Sequence, residues 1–277
     1  MNERVKADQL TELYYGDYIV SIQLHHPSMV LPGMKSDFKY RHTTMHGSTM
    51  AKCIFVVDKT ALLGLRLTFG RTPCTSEWCI SSEPITNLAN DILHAKDWDP
   101  NELCLPHSVS LSCPILQPQD KPFGKAMPIN MHIPADDMGK VDDFIDDLIT
   151  IIPHIRDNWK RGEGTSLLAI HTVSCPLHPE EPLPRDNVLS VSKLKDEGRM
   201  SEIITVLGWV LNLCALEINL PLDKYTSWLQ DITSMAQSCR ATFKELDTLV
   251  GCLNHVGHII PLAHYFLNRI RHFKERS

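Results

Sequence analysis

The spacing of hydrophobic residues predicts a chain of mixed strands and helices up to about residue 222, followed by helices alone. Two runs rich in β-branched and aromatic side chains, CIFVV (53–57) and ALLGLRLTF (61–69), are separated by Asp58-Lys59-Thr60 and indicate a β-hairpin. The runs SEIITVLGWVLN (201–212) and ALEINLP (215–221) indicate further strands. The expected fold class is therefore α+β.

Helical spacing occurs in several other segments. They are residues 77–95, 158–173, 225–240 and 243–273. Pro84 is expected to begin or kink the first of these helices, and Gly257 with Pro261 to break the last. The proline-rich residues 96–135 and the stretch CPLHPEEPLPRDN (175–187) predict loops.

The segment KVDDFIDDLITII (140–152) is compatible with two structures. Its apolar residues recur at helical intervals, which favours an amphipathic helix with the four aspartates on its wet face. However, Asp disfavours helix interiors, and like charges four residues apart repel each other. The β-branched residues around Asp146-Asp147 also fit a hairpin with this pair at its tip. Periodicity taken alone favours the helix.

Composition and charge restrict the class of protein and its compartment. The 277 residues are 43% hydrophobic and 22% charged, as in soluble globular proteins, and the formal charge of −6 argues against a strongly basic nucleic-acid-binding surface. The nine cysteines are scattered without CxxC spacing, and the start of the chain has no apolar stretch typical of a signal peptide. We therefore expect an intracellular protein, cytoplasmic or nuclear, that does not enter a membrane.

Adjacent carboxylates at the tip of a hairpin require a neutralising positive charge. The two negative charges repel each other unless a cation neutralises them, and carboxylate oxygens are the ligands that Mg²⁺ prefers. Two Mg²⁺ ions about 4 Å apart can activate an attacking hydroxyl and stabilise a leaving pyrophosphate. Because one hairpin offers too few ligands, this interpretation requires a third carboxylate from another strand.

Several motifs along the chain resemble, in order, those of reverse transcriptases from eukaryotic retroelements. They are FGRTPCTSEWCISSEPITNLANDIL (69–93), FIDD (144–147), RDNWKRGEGTSLLAIHTV (156–173), HPEEPLPRDN (178–187), SKLKDEG (192–198) and VLGW (206–209). The runs LEINLPLDKYTSWLQDI and FKELDTLVGCLNHVGHIIPLAHYFLNRI resemble the family's thumb helices. The resemblance covers about residues 30–273. It implies a palm with a fingers remnant over residues 1–222 and a helical thumb-like region over residues 223–277.

The resemblance also implies roles for individual residues. The catalytic, metal-binding residues would be Asp37, Asp146 and Asp147, with the Phe38 carbonyl as a further ligand and two Mg²⁺ ions bound. The nucleotide-binding residues would be Phe69, Gly70, Arg71 and Lys193, and the primer-binding residues Leu207, Gly208 and Trp209. Asp142 and Asp143 fall outside the motif and are expected to be surface acids.

The sequence departs from the family pattern around Asp37. The aromatic residue expected five positions after this aspartate lies only three after it, at Tyr40, and His42 takes the fifth position. This shortening predicts a register shift or a bulge in the strand that carries Asp37. Only 36 residues precede Asp37, so we expect an N-terminally truncated member that lacks most of the fingers strands.

Two functions are compatible with these residues. In the first, an RNA template directs the attack of a DNA primer 3′-hydroxyl on the α-phosphate of a deoxynucleoside triphosphate. In the second, the chain is a catalytically inactive, retroelement-derived scaffold that binds nucleic acid or protein. The polymerase hypothesis requires that Asp37 lie beside the Asp146-Asp147 tip, within reach of a shared metal ion.

Overall fold

A computed structural model describes residues 18–20, 22–23, 29–38, 54–63, 72–100, 138–155, 158–174, 178–180, 187–257, 259–260 and 262–276. Its strands are β1 (Gly33–Asp37), β2 (Ile54–Val57), β3 (Thr60–Leu63), β4 (Lys140–Phe144), β5 (Asp147–Ile151), β6 (Ile203–Val206), β7 (Trp209–Asn212) and β8 (Glu217–Asn219). Its helices are α1 (Thr72–His94), α2 (Asn158–Ser174), α3 (Val191–Glu197), α4 (Leu222–Ser238), α5 (Phe243–Gly257) and α6 (Ala263–Arg276). The fold is therefore α+β.

The segment over residues 140–152 forms a strand, a turn and a strand. The helix that periodicity favoured is wrong: β5 pairs antiparallel with β4 on one side and with β1 on the other, which gives the sheet order β1-β5-β4. The central strand is buried on both faces from Leu148 to Ile151. A strand buried on both faces is apolar at successive positions, so its sequence lacks the polar alternation that marks a half-exposed strand.

The other predicted strands and helices that fall on described residues agree with the structure apart from some of their boundaries, whereas most of the chain in the predicted loops over residues 96–135 and 175–187 lies outside the described residues. β2 and β3 form the expected antiparallel hairpin, with a turn at Asp58-Lys59. Pro84 lies inside α1 and does not begin it, because the helix starts at Thr72. The run SEIITVLGWVLN contains two strands of a three-stranded sheet ordered β6-β7-β8. The predicted break at Gly257 is confirmed, since α5 ends there.

The hydrophobic core lies around the β1-β5-β4 sheet and joins it to the helices α1 and α2. The buried core residues include Met34, Phe38, Trp78, Ile85, Ala89, Leu93, Val141, Leu148, Ile152, Leu167, Ala169, Ile170, Leu189, Leu194 and Met200. Pairing of β1 with β5 places one end of β1 beside the β4–β5 turn, and Trp78 of α1 contacts both that turn and the residue that follows β1.

The chain divides into two compact units. One consists of Met1–Val206 and Leu211–Ile218, and the other of Leu207–Val210 and Asn219–Ser277. In the second unit, α5 begins with a capping box in which Thr242 and Glu245 exchange backbone and side-chain hydrogen bonds. Among the described helices of both units, none has the length and apolar character needed to cross a membrane.

Candidate metal centre

Three carboxylates meet at one end of the β1-β5-β4 sheet. Asp37 is the last residue of β1 and Asp147 the first of β5, and the antiparallel register places these two residues directly opposite each other. Asp146 lies in the turn between β4 and β5, where its carbonyl accepts a hydrogen bond of 3.2 Å from the Phe38 N–H. Each aspartate offers an oxygen within 4.8 Å of the others. Strand β1 therefore delivers the third carboxylate that the hairpin requires.

Two lysines lie against this acidic triad. The Lys193 ammonium, at the start of α3, donates a hydrogen bond to Asp37 Oδ2. The Lys35 Nζ lies 3.6 Å from Asp147 Oδ2 and 2.8 Å from Glu197 Oε2. The structure thus brings Lys193, predicted near a pyrophosphate, directly to the predicted metal ligands.

The electrostatic balance of the triad is visible in its pKa values. Burial, together with the neighbouring charges of Asp146 and Asp37, raises the pKa of Asp147 to about 6 against the opposing effect of Lys35 and Lys193. The pKa of Lys193 is raised mainly by its hydrogen bond to Asp37. Three crowded carboxylates beside two ammonium groups still carry an excess of negative charge. A divalent cation would relieve it.

The donor set fits a hard divalent cation. All three ligand groups are carboxylates, they come from the paired strands β1 and β5 and from the β4–β5 turn, and their oxygens are close enough to share an ion. Imidazole and thiolate groups, which favour softer metals, are absent from this group of described residues. These residues are suited to Mg²⁺.

Helix α1 holds the hairpin that carries Asp146 and Asp147. The Trp78 indole N–H donates a hydrogen bond to the carbonyl of Ile145, a turn residue with a left-handed φ of 60° that β-branched residues rarely adopt. Further along the same helix, the Asn90 amide bonds both the N–H and the carbonyl of Val141, at 3.0 and 2.8 Å. Neither α1 residue was predicted to have a role at the site.

The expectation that Asp142 and Asp143 are surface acids is wrong. Both are buried, and Asp143 is only 1% exposed. Asp143 lies opposite Leu148 in the register, on the face covered by α1, and its Oδ1 accepts a hydrogen bond of 2.9 Å from the Thr86 hydroxyl. Asp143 is buried because α1, which is distant in sequence, packs over it. The local sequence pattern carries no sign of that packing.

The remaining predicted site residues are placed as follows. The Phe38 ring is buried and packs edge-on against Trp78 with centroids 5.1 Å apart, while the ligand role of its carbonyl stays a prediction. Phe69, Gly70 and Arg71, like Tyr40 and His42 with the predicted bulge, lie outside the described residues.

The predicted primer-binding residues belong to the second compact unit. Leu207 and Gly208 form a turn with left-handed φ values of 51° and 78°, as two-residue hairpin turns require. A side chain at Gly208 would come within 2.7 Å of the Lys224 Nζ. Trp209 is buried and stacks on His255, with ring centroids 4.8 Å apart. Its indole is therefore engaged in packing within this unit.

Lys35 and Glu197 were missed by sequence analysis. A signal for Lys35 was present, because residues two apart in a strand point to the same face and Lys35 precedes Asp37 by two. No comparable signal existed for Glu197, which reaches Lys35 only because α3 folds back onto β1 through the Ser190 N–H, bonded to the Asp37 carbonyl at 3.1 Å.

Comparison with known proteins gives distant structural similarity and no sequence match. No protein-family model and no curated protein matches the sequence. Among solved structures, the chain is similar to the foamy viral protease-reverse transcriptase in complex with an RNA/DNA hybrid, with a TM-score of 0.48 and 9% identity. The match covers 97% of this chain and 27% of that protein, so the chain spans about a quarter of its length.

Proposed function

We propose that the chain is an RNA-directed DNA polymerase of the reverse-transcriptase type, which transfers deoxynucleotides to a primer 3′-hydroxyl. The observation that carries the proposal is the meeting of Asp37 with Asp146 and Asp147. The motif resemblance named these three residues from the sequence alone, although Asp37 is far from the other two along the chain. Acids scattered at random positions would rarely converge on the three that a motif specifies.

The chain's own residues would provide binding and positioning. The three carboxylates, with the Phe38 carbonyl, would hold two Mg²⁺ ions, which when bound lower the pKa of the attacking hydroxyl and stabilise the leaving pyrophosphate. Pairing between β1 and β5 fixes Asp37 opposite Asp147, and Trp78 fixes the turn that carries Asp146. The exposed ammonium of Lys193 would contact the phosphates of the incoming nucleotide.

The remaining assignments belong to the same proposal. Residues 1–222 would form a palm with a fingers remnant, and residues 223–277 a thumb-like region. Nucleotide binding would involve Phe69, Gly70 and Arg71, and primer binding Leu207, Gly208 and Trp209. The partners would be an RNA template, a DNA primer and deoxynucleoside triphosphates.

One observation favours the alternative, a catalytically inactive scaffold. Lys35 and Lys193 already pair with two of the three carboxylates. A triad that is permanently neutralised by lysines would bind no metal ion and would have no catalytic role.

Primer extension on an RNA template decides between the two functions. We expect the wild type to extend the primer only with Mg²⁺ or Mn²⁺ present, and Asp146→Asn and Asp147→Asn each to reduce the rate at least about a hundredfold, because even indirect support of a metal ligand is worth 10- to 100-fold. Asp143→Asn is the matched control. It changes a buried acid of the same hairpin that bonds Thr86 and should retain activity.

The possible results separate the hypotheses. Activity that survives both Asp146→Asn and Asp147→Asn would rule out this site as the catalytic centre. Inactivity of the correctly folded wild type, on RNA and DNA templates alike, would favour the scaffold.

A further inference from the structure

The ammonium group of Lys35 is fixed beside the triad by two carboxylates. Its Nζ lies between Asp147 Oδ2, at 3.6 Å, and Glu197 Oε2, at 2.8 Å, and its side chain is only 11% exposed. The register explains the first contact: Asp37 is opposite Asp147, so Lys35, on the same face of β1, is the diagonal neighbour of Asp147. A lysine enclosed in this way keeps its charge at the triad and cannot turn into solvent.

Lys193 contacts the triad in a different way. Its ammonium bonds Asp37 Oδ2, but its side chain is 54% exposed. A change of rotamer is enough to move such a lysine into water, since exposed ion pairs contribute little to stability. Lys193 and Glu197 lie one turn apart on α3, so the same short helix supplies the exchangeable lysine and the carboxylate that holds Lys35.

We propose that Lys35 is a positioning residue that takes the place of one divalent cation. Without nucleotide, the triad then binds a single cation, which displaces Lys193 from Asp37 and leaves the pair of Lys35 and Glu197 intact. Asp147 Oδ2 faces the fixed ammonium, so in the absence of a negatively charged triphosphate a second cation at that oxygen would lie beside an uncompensated positive charge that cannot move away. Repulsion at such distances is strong where water is largely excluded. This inference rests on the proposed function, because it takes the triad as a cation site.

Counting bound Mn²⁺ tests the inference independently of catalysis. The full chain, freed of metal and kept without nucleotide, is titrated with Mn²⁺ while the free ion is measured by electron paramagnetic resonance. The double variant Asp146→Asn/Asp147→Asn gives the number of sites outside the triad, which is subtracted. We expect a difference of one ion per chain. A difference of two overturns the inference and leaves the proposed function standing, whereas a difference of zero removes the metal centre on which both depend.

Substitution of the two lysines should change different quantities in the same titration, the affinity for Lys193 and the number of bound ions for Lys35. Lys193→Met removes a competitor, so the count stays at one while the affinity increases up to about fivefold. Lys35→Met should raise the count to two, and Lys35→Arg, which keeps the charge, should leave it at one. The double change Lys35→Met/Glu197→Gln should also give two, without leaving Glu197 as an unpaired carboxylate. A count of one in both Lys35→Met and Lys35→Met/Glu197→Gln, with circular dichroism like that of the wild type, contradicts the role of Lys35.

Discussion

The buried Glu163 makes the stability of the folded chain depend on pH. This α2 residue is buried, and burial raises its pKa to about 7, although the Met200 N–H and Arg199 act in the opposite direction. Its Oε1 has no hydrogen-bond partner among the described residues. The charged form is therefore disfavoured in the folded chain relative to the unfolded one.

We predict that Glu163→Gln stabilises the metal-free protein at high pH. Because the folded pKa lies above the unfolded value of 4.5, the native state binds more protons between pH 4.5 and about 7, and wild-type stability falls as pH rises through that range. The variant should gain about 1–3 kcal/mol at pH 8 and little at pH 4. Denaturant unfolding at both pH values measures the difference.

The matched control for this prediction is Glu83→Gln, which changes an exposed glutamate of α1. It should alter the free energy of unfolding by less than about 0.5 kcal/mol at either pH. Asp147 also has a raised pKa, so it too makes the wild-type free energy of unfolding fall as the pH rises. The decisive quantity is therefore the difference in the free energy of unfolding between Glu163→Gln and the wild type. A difference that does not widen with pH would show that the pKa of Glu163 is the same in the folded and unfolded chains.

The meeting of three aspartates could be predicted from the sequence, whereas the burial of their neighbours could not. Asp37, Asp146 and Asp147 were grouped because the segments that carry them resemble known motifs in the same order along the chain. Asp143 was misjudged, since the Thr86 hydroxyl that covers it belongs to α1 and becomes a neighbour only after folding. Lys35 was overlooked because its partners come from two different elements.

At the scale of elements, α1 acts as a brace for the β4–β5 hairpin. β4 is an edge strand in the order β1-β5-β4, so its outer N–H and carbonyl groups need partners other than a strand. Asn90 supplies both at Val141, with bonds of 3.0 and 2.8 Å. Its amide thus continues the hydrogen bonding of the sheet at this position.

We predict that Asn90→Ala lowers the free energy of unfolding by about 1–2 kcal/mol, because it removes two hydrogen bonds from a partly buried edge. Asn87→Ala is the matched control: it changes the same residue type on the same helix at an exposed position, where alanine favours the helix. Chemical denaturation compares the two. Equal stability of the two variants would mean that water replaces the Asn90 amide at no cost.

Local sequence patterns predicted some elements correctly and left others ambiguous. The helices of the C-terminal region were found because long amphipathic patterns identify helices by themselves. The segment over residues 140–152 was ambiguous because its apolar positions also fit a helix, and the deciding factor, pairing of β5 on both sides, comes from strands elsewhere in sequence. Pairing partners are not part of a local pattern.

At the scale of the whole molecule, the triad lies within one compact unit, which contains β1, β4 and β5. A cation that binds there stabilises that unit by an amount that grows with the logarithm of its concentration, about 2.7 kcal/mol at one hundred times its dissociation constant. The helices α4, α5 and α6 belong to the other unit and contribute no ligand to the triad. Metal binding should therefore stabilise the unit that contains β1, β4 and β5 more than the unit that contains α4, α5 and α6.

We predict that saturating Mg²⁺ or Mn²⁺ raises the melting temperature by roughly 5–10 °C and slows amide exchange in β1, β4 and β5 more than in α4, α5 and α6. Calorimetry and hydrogen exchange with mass spectrometry measure the two effects. Asp146→Asn/Asp147→Asn should abolish both, while Asp143→Asn should keep them. Because Asp147 must lose its proton to bind a cation and its pKa lies near 6, the shift in melting temperature should shrink as the pH falls below 6. An undiminished shift in the double variant would place the stabilising cation at another site.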